Sequence, residues 1–383
     1  MSHEPTRAAG LARLDAFAPG MGRRYAAERN HDRGGAGEWP GNVSALSPYL
    51  RHRLVEEQEV LARALVEHGP DKADKFVSEV LWRGYFRGWL EQRPAVWDRY
   101  LAERDAALAA VEANGGLARD YRAAVEGRTG IDCFDAWVGE LTGHNWLHNH
   151  SRMWFASIWI FTLRLPWVLG ADFFLQHLLD GDSASNTLSW RWVAGLHTRG
   201  KAYAARADNI AKYTDGRFDP KGLAAHVEPL TEDFEPPLTR FVPPPVPRVE
   251  GEWLLLLQEG DMTIDHPLPT PPAGVIALAP RDEGLSEAVA AFRRAAGEDA
   301  AARASKAYGC PILPCDRPEA IEAVADGRPV VAPYVPIGNA PALAGVTTFV
   351  RDYDAAIWPL ATAGFFKVKS GAPAKLRALG LPG

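Results

Sequence analysis

The sequence predicts an α plus α/β protein: an all-helical domain followed by a smaller α/β domain. Three observations carry this. Up to about Tyr213 apolar residues recur at helical spacing, and no alternating β-rich segment stands before residue 220. The stretch EPPLTRFVPPPVPRVEG, residues 235–251, then reads as an extended, proline-rich linker. Beyond it, short apolar runs alternate with helical ones, the pattern of a small sheet covered by helices. The expected division is therefore 1–234, helical domain; 235–251, linker; 252–383, α/β domain of unassigned role.

The elements follow in order. A helix is expected around Leu11, Leu14 and Phe17, and RNHDRGGAGEWPGN reads as a turn-rich loop. In LSPYLRHRLVEEQEVLARAL the apolar residues Leu50, Leu54, Val60, Leu61 and Leu65 keep helical spacing. Ser47 before Pro48 reads as its N-cap. A second helix is expected from Lys72 to Leu90, and DCFDAWVGEL opens a third. The apolar run Trp154–Leu163 is stopped by Arg164 and Pro166. It is too short to span a bilayer and reads as a buried helix. Past the linker, Trp253–Leu257, Val275–Ala279, Pro311–Pro314, Val330–Pro333 and Thr347–Val350 read as strands. Ser286–Ala307 and Pro318–Ala325 read as helices.

Bulk properties narrow the function classes. A net charge of −6 over 383 residues argues against a generally basic nucleic-acid binder. Three cysteines make neither a disulfide framework nor a metal cluster, and with no apolar leader in MSHEPTRAAGLARL a cytoplasmic protein is expected. Neither GxGxxG nor GxxxxGK[ST] occurs in the α/β part, so no nucleotide phosphate loop is assigned. Of thirteen tryptophans, eleven precede residue 193, so the aromatic excess belongs to the helical part. There, indoles sit beside His, Asn, Arg and Asp, the mixture that a large planar ligand needs.

Four segments carry candidate chemistry, each open to a plainer reading. In NVSALSPYL, Ser44, Ser47 and backbone N–H groups form either an anion site or a simple helix cap. In FVSEVLWRGYFRGW, Glu79, Trp82, Arg83 and Phe86 share one helix face, as a ligand surface or as an amphipathic stripe with a Glu79–Arg83 pair. His148, Asn149, His150 and Arg152 cluster in WLHNHSRM, but no third ligand at metal-site spacing joins the two histidines. Asp180 and Asp182 flank Gly181, as a capping turn or as carboxylates facing Arg152 and a heterocycle N–H.

In this order, Tyr-x-x-x-Arg (Tyr25, Arg29), the SxLSPYL loop, the SExLWR helix, GIDxxDAW, WLHNHxRM and DGDxASNxLSWRW resemble the FAD-binding helical domain of the photolyase/cryptochrome family. The resemblance runs from about Leu11 to Asp219. It implies FAD as cofactor. Tyr25, Ser44, Leu46 and Ser47 would hold the diphosphate and ribityl region, with Arg83 near the phosphates. Asn149, Arg152, Asp180 and Asp182 would line the folded cofactor, with Arg152 paired to Asp180, and Asn186 would face the flavin N5. Glu79, Trp82, Asn149, Met153 and Trp192 match the positions that line the pyrimidine-dimer cavity in dimer photolyases. Trp190 and Trp167 match the first two electron-transfer tryptophans. The third falls on Asn114, so either Trp97 or Trp154 substitutes or the electron-transfer chain is cut short.

Departures matter as much. Only about two dozen residues precede Tyr25, where the family carries an N-terminal antenna domain, and the α/β region is the candidate for a relocated, Rossmann-like antenna-like domain. Val43 replaces the family's Thr, His150 replaces an Arg of dimer photolyases, and the iron–sulfur cysteines are absent. The implied activity is light-driven electron transfer from reduced FAD to a pyrimidine dimer, with damaged DNA as partner. The alternatives are a cryptochrome-like receptor with a signalling partner, and a light-independent FAD protein. Membrane and metal partners are not expected. Repair requires Arg51, Arg53, Arg87, Arg191, Arg199 and Lys201 to form a basic face.

Overall fold

Thr6 opens the first helix, α1 (Arg7–Phe17): its hydroxyl accepts the Ala9 N–H at 3.1 Å, supplying one of the partners a helix start lacks. The structure, a computed structural model, describes residues 3–34, 39, 41–340 and 343–382. The loop expected over RNHDRGGAGEWPGN lies partly outside them. After α1 come α2 (Arg23–Glu28), the short α3 (Ser47–Arg51) and the long α4 (Glu57–Glu91). The single helix expected from Ser47 is broken, because Arg53 takes a left-handed backbone (φ 51°) that ends α3. Glu56 and Glu59 then form a capping box that starts α4. Gly69 (φ 70°) before Pro70 kinks α4, so the helix expected from Lys72 is its second half.

The chain continues through α5 (Ala95–Ala113), α6 (Gly115–Val125), α7 (Asp132–His144), α8 (Asn149–Ser157), α9 (Trp167–His177), α10 (Ser183–Ala194) and α11 (Ala207–Tyr213). A π turn, Ile158–Thr162, extends α8, so the Trp154–Leu163 run is a buried helical segment, as expected. No strand occurs before residue 254 among the described residues, and no helix is long and apolar enough to cross a membrane.

The proline-rich stretch has no regular structure, yet Thr239 N–H donates to the Gln92 carbonyl at 2.8 Å. Strands β1 (Leu254–Leu257), β2 (Gly274–Leu278), β3 (Ile312–Cys315), β4 (Val330–Pro333) and β5 (Val346–Phe349) form one parallel sheet in the order β3-β2-β1-β4-β5. Helices α12 (Glu287–Tyr308), α13 (Ile321–Ala325), α14 (Asp352–Ile357) and α15 (Phe365–Ala378) complete the chain. LLLL of β1 is buried throughout, as a strand covered on both faces must be. The expected helical and α/β parts are both present.

Two compact units form. One comprises the described residues among 27–43 and 93–237; the other comprises those among 3–26, 44–92 and 238–382. Segment 44–92 thus folds in the same unit as the sheet. The first unit is centred on fully buried Trp137, Trp154, Trp159 and Trp190 with Phe134 and Phe155.

In the second unit the Glu91 carboxylate accepts from Tyr334 Oη (2.6 Å) and from the Ile337 N–H (2.8 Å). Burial pushes Glu91 up from 4.5 to about 7 despite those bonds. A carboxyl raised by folding favours its neutral form. Its contribution is complete below about pH 4.5 and is lost as pH rises through about 7. Glu91→Gln is expected to flatten that loss. Urea denaturation between pH 5 and 8 checks it, and equal pH slopes in both proteins would contradict it.

Candidate functional site

The two units carry different groups of the implied site residues. In the first, α8 begins at exposed Asn149, and Met153 follows one turn on, half-buried. Arg152 on the same helix is held twice: Nε donates to the Leu147 carbonyl and Nη2 to Asp180 Oδ1, each at 3.0 Å. The Asp180 side chain is only 4% exposed. Asp182 caps α10 by accepting the Ser185 N–H at 2.9 Å. Asp182 is therefore the capping residue of the acidic turn, and Asp180 the one that faces Arg152. Asn186 donates through Nδ2 to the Ala171 carbonyl at 2.8 Å, which leaves its amide oxygen as the acceptor end.

His150 turns into this unit. Its ring stacks on Trp154 (4.1 Å, 22°), and Nδ1 lies 3.0 Å from the Asn30 carbonyl. Burial brings its neighbour His148 down to about 4, so that ring is neutral near pH 7. Among the described residues no group of three His, Cys, Asp or Glu could hold a metal. Sequence reasoning missed buried Asp32, which accepts from Ser151 Oγ (2.7 Å), Trp137 Nε1 (3.2 Å) and Arg217 (2.7 Å). Its only signal was an aspartate in a Gly-rich loop.

Trp190 is buried, and α9 passes so close that a Cβ on Gly170 would sit 2.3 Å from its indole. Trp167 packs 5.8 Å from Tyr100, which lies 5.0 Å from half-buried Trp97. Asn114, where the third tryptophan would align, instead caps α6 through Gly116 and Leu117 N–H. Trp154, the other substitute, stacks on Trp137 at 5.6 Å and donates to Asn209. Of the two substitutes, Trp97 is therefore the one that shares a line of ring contacts with Trp167. Trp192 is half-buried against Tyr203 (5.6 Å).

In the second unit Tyr25 meets Phe76 edge-on at 5.1 Å. Ser44 Oγ accepts the Leu46 N–H at 3.4 Å, and Ala45 between them is left-handed (φ 49°). Leu46, not Ser47, is the N-cap of α3, and no side chain caps it. The expected Ser47 cap is corrected: with Pro48 second in the helix, Ser47 is already its first residue. Glu79, Trp82 and Arg83 lie half-buried on α4. Trp82 is stacked on Phe365 of α15, with ring centroids 3.8 Å apart and planes 7° from parallel. Nothing in the sequence pointed to that partner, 283 positions away.

The expected basic face does not form. Arg51, Arg53 and Arg87 are 1–2% exposed, and Arg191 is 3% exposed. Arg53 and Arg87 are held by Glu57, Asp261 and Asp354, and Arg191 by Glu232. Buried guanidinium groups need such partners, which takes them away from any phosphate.

The donor set on α8 and α10 suits FAD. It offers a fixed guanidinium–carboxylate pair, a second carboxylate and an anchored amide. On α10, three buried polar atoms, Ser185 Oγ, Thr187 Oγ1 and Trp190 Nε1, have no hydrogen-bond partner among the described residues, although buried polar atoms are ordinarily paired.

Comparison with known proteins agrees. Residues 76–227 match the model of the FAD binding domain of DNA photolyase. The deoxyribodipyrimidine photo-lyase of Streptomyces griseus is 33% identical over 197 residues, covering 48% of this chain and 42% of that protein. That of a Thermus thermophilus strain is 34% identical over 219 residues, covering 57% and 49%. The chain thus spans less than half the length of these relatives. A bacterial class III photolyase from Agrobacterium tumefaciens superposes with a TM-score of 0.46 at 25% identity, covering 55% of this chain and 43% of that one.

Proposed function

We propose that this chain, whose residues 76–227 match the FAD binding domain of DNA photolyase, binds FAD and is a light-driven flavoprotein of photolyase type acting on pyrimidine dimers in DNA. The observation that carries the flavin assignment to this chain's own residues is the pairing of partly exposed Arg152 with the buried Asp180 carboxylate, on the helices and turn that also carry Asp182 and Asn186. When bound and reduced, FAD supplies a single electron on illumination. Arg152, Asp180, Asp182 and Asn149 hold the cofactor. The Asn186 amide, anchored to Ala171, would face the flavin N5 with its oxygen free to accept. Ser44, Leu46 and Ser47, with Tyr25 and Arg83, hold the diphosphate and ribityl region. Glu79 would hydrogen-bond the dimer, while Trp82, Asn149, Met153 and Trp192 contact the flipped bases. Trp190 and Trp167 would pass electrons toward bound FAD, and Tyr100 and Trp97 adjoin Trp167 in ring contact. The cytoplasm is the compartment proposed, consistent with three buried free cysteines.

A second reading, a photoreceptor without repair, is favoured by two particular observations. The Trp82 face is occupied by Phe365, and four of the six expected DNA-facing cations are buried. Trp190→Phe separates flavin photochemistry from mere flavin binding. It is expected to slow flavin photoreduction sharply under blue light with a reductant while FAD content stays unchanged. Unaltered kinetics would refute the role of Trp190. A thymine-dimer oligonucleotide then separates the readings, since photoreduction without repair favours the receptor.

A further inference from the structure

In open α/β sheets a ligand binds outside the carboxyl ends of the strands, where the strand order reverses. Here β1 leads outward to β2 and β3, and β4 leads the opposite way to β5, so the reversal lies between β1 and β4. That crevice holds a segment of the same unit. His52 Nδ1 meets the Glu259 carbonyl just past β1 at 2.8 Å, and the Met262 N–H donates to the His52 carbonyl at 2.9 Å. Arg53 donates to Asp261 (3.0 Å) and to Asp354 (2.5 Å), and its own carbonyl accepts Thr263 Oγ1 at 2.7 Å. Asp261 is in turn held by both arms of Arg351, each at 3.0 Å.

This clamp grips the chain directly after the SxLSPYL loop. The left-handed residues Ala45 (φ 49°) and Arg53 (φ 51°) bracket the loop and α3. Such a backbone is strained in a residue with a Cβ and persists only where its surroundings over-determine it. Arg53 is fixed by two carboxylates and a hydroxyl, all buried, so the surroundings here are the sheet's own ligand crevice.

We propose that the α/β layer is the mount of the cofactor loop: its switch point holds Arg53 and His52 so that Ser44, Leu46 and Ser47 are preorganised for the FAD diphosphate. Arg53 and Thr263 are then positioning residues that act on affinity without touching the cofactor, since a pre-ordered loop spares the ordering cost of binding. The inference rests on the FAD reading above and assigns the α/β region its role.

The test titrates FAD into the full-length apoprotein by flavin fluorescence and records Tm for each variant. Thr263→Val removes one hydroxyl at constant volume and is expected to weaken FAD severalfold. Thr263→Ser, which keeps the hydroxyl, is expected to retain wild-type affinity. Arg53→Lys loses the fork and is expected to weaken FAD about tenfold. Ile276→Val, which softens β2 away from the clamp, is expected to lower Tm with no change in affinity. Weakening of FAD by Ile276→Val as large as that by Thr263→Val at matched Tm loss would overturn the positioning role, as would wild-type affinity in both clamp variants. A wild-type protein that takes up no FAD overturns the flavin reading itself, and shows this before any variant is made.

Discussion

Arg53→Met is expected to destabilise the protein by about 3–5 kcal/mol, because it leaves buried carboxylates without their counter-charge. Arg53 is 1% exposed and approaches Glu57 (3.6 Å), Asp261 (3.0 Å) and Asp354 (2.5 Å). Asp261 keeps Arg351, and Glu57 keeps Arg87 at 3.0 Å. Asp354 is then the exposed weakness: burial already pushes it up to about 6 with Arg53 in place. Without Arg53 it is expected to protonate on folding at neutral pH. Two results are therefore expected in urea denaturation: a large loss at pH 7, and partial recovery toward pH 5, where protonation costs less. A loss under about 1 kcal/mol would mean that the cluster relaxes or admits water.

Asp180→Ala is expected to weaken FAD by about 2–3 kcal/mol, roughly 30- to 150-fold in Kd. The carboxylate is buried and orders Arg152, so its loss frees the guanidinium that it aims and, on the proposed flavin reading, removes a cofactor contact. Asp180→Asn keeps the shape and one acceptor and is expected to lose less. Flavin fluorescence titration distinguishes the two. Equal affinity in wild type and Asp180→Ala would remove Asp180 from the cofactor shell.

Much of the fold was legible because its signals are local. The β strands appear as short apolar runs such as LLLL of β1 and VVAP of β4, and Ser286 marks a helix start. The site motifs were legible as ordered strings, and the Arg152–Asp180 pair expected from them is present. What the sequence hides is pairing at long range. Arg53 and Asp354 are 301 positions apart, and nothing near either one announces the other. For this reason the arginines read as a basic face are buried instead, and segment 44–92 folds in one unit with the sheet. Trp82 reads as an open stacking surface until Phe365 is placed on it. Ser47 reads as a cap because Ser-Pro so often is one, yet here the backbone turns one residue earlier, at Leu46.

One measurement tests the central claim most directly. Purified protein carrying reduced flavin is mixed with an oligonucleotide containing one thymine dimer, and intact thymines are counted in blue light and in the dark. The repair reading predicts dimer loss in the light only, abolished by Glu79→Ala. Bound flavin that photoreduces while the dimer survives in the light would contradict repair and leave the photoreceptor reading.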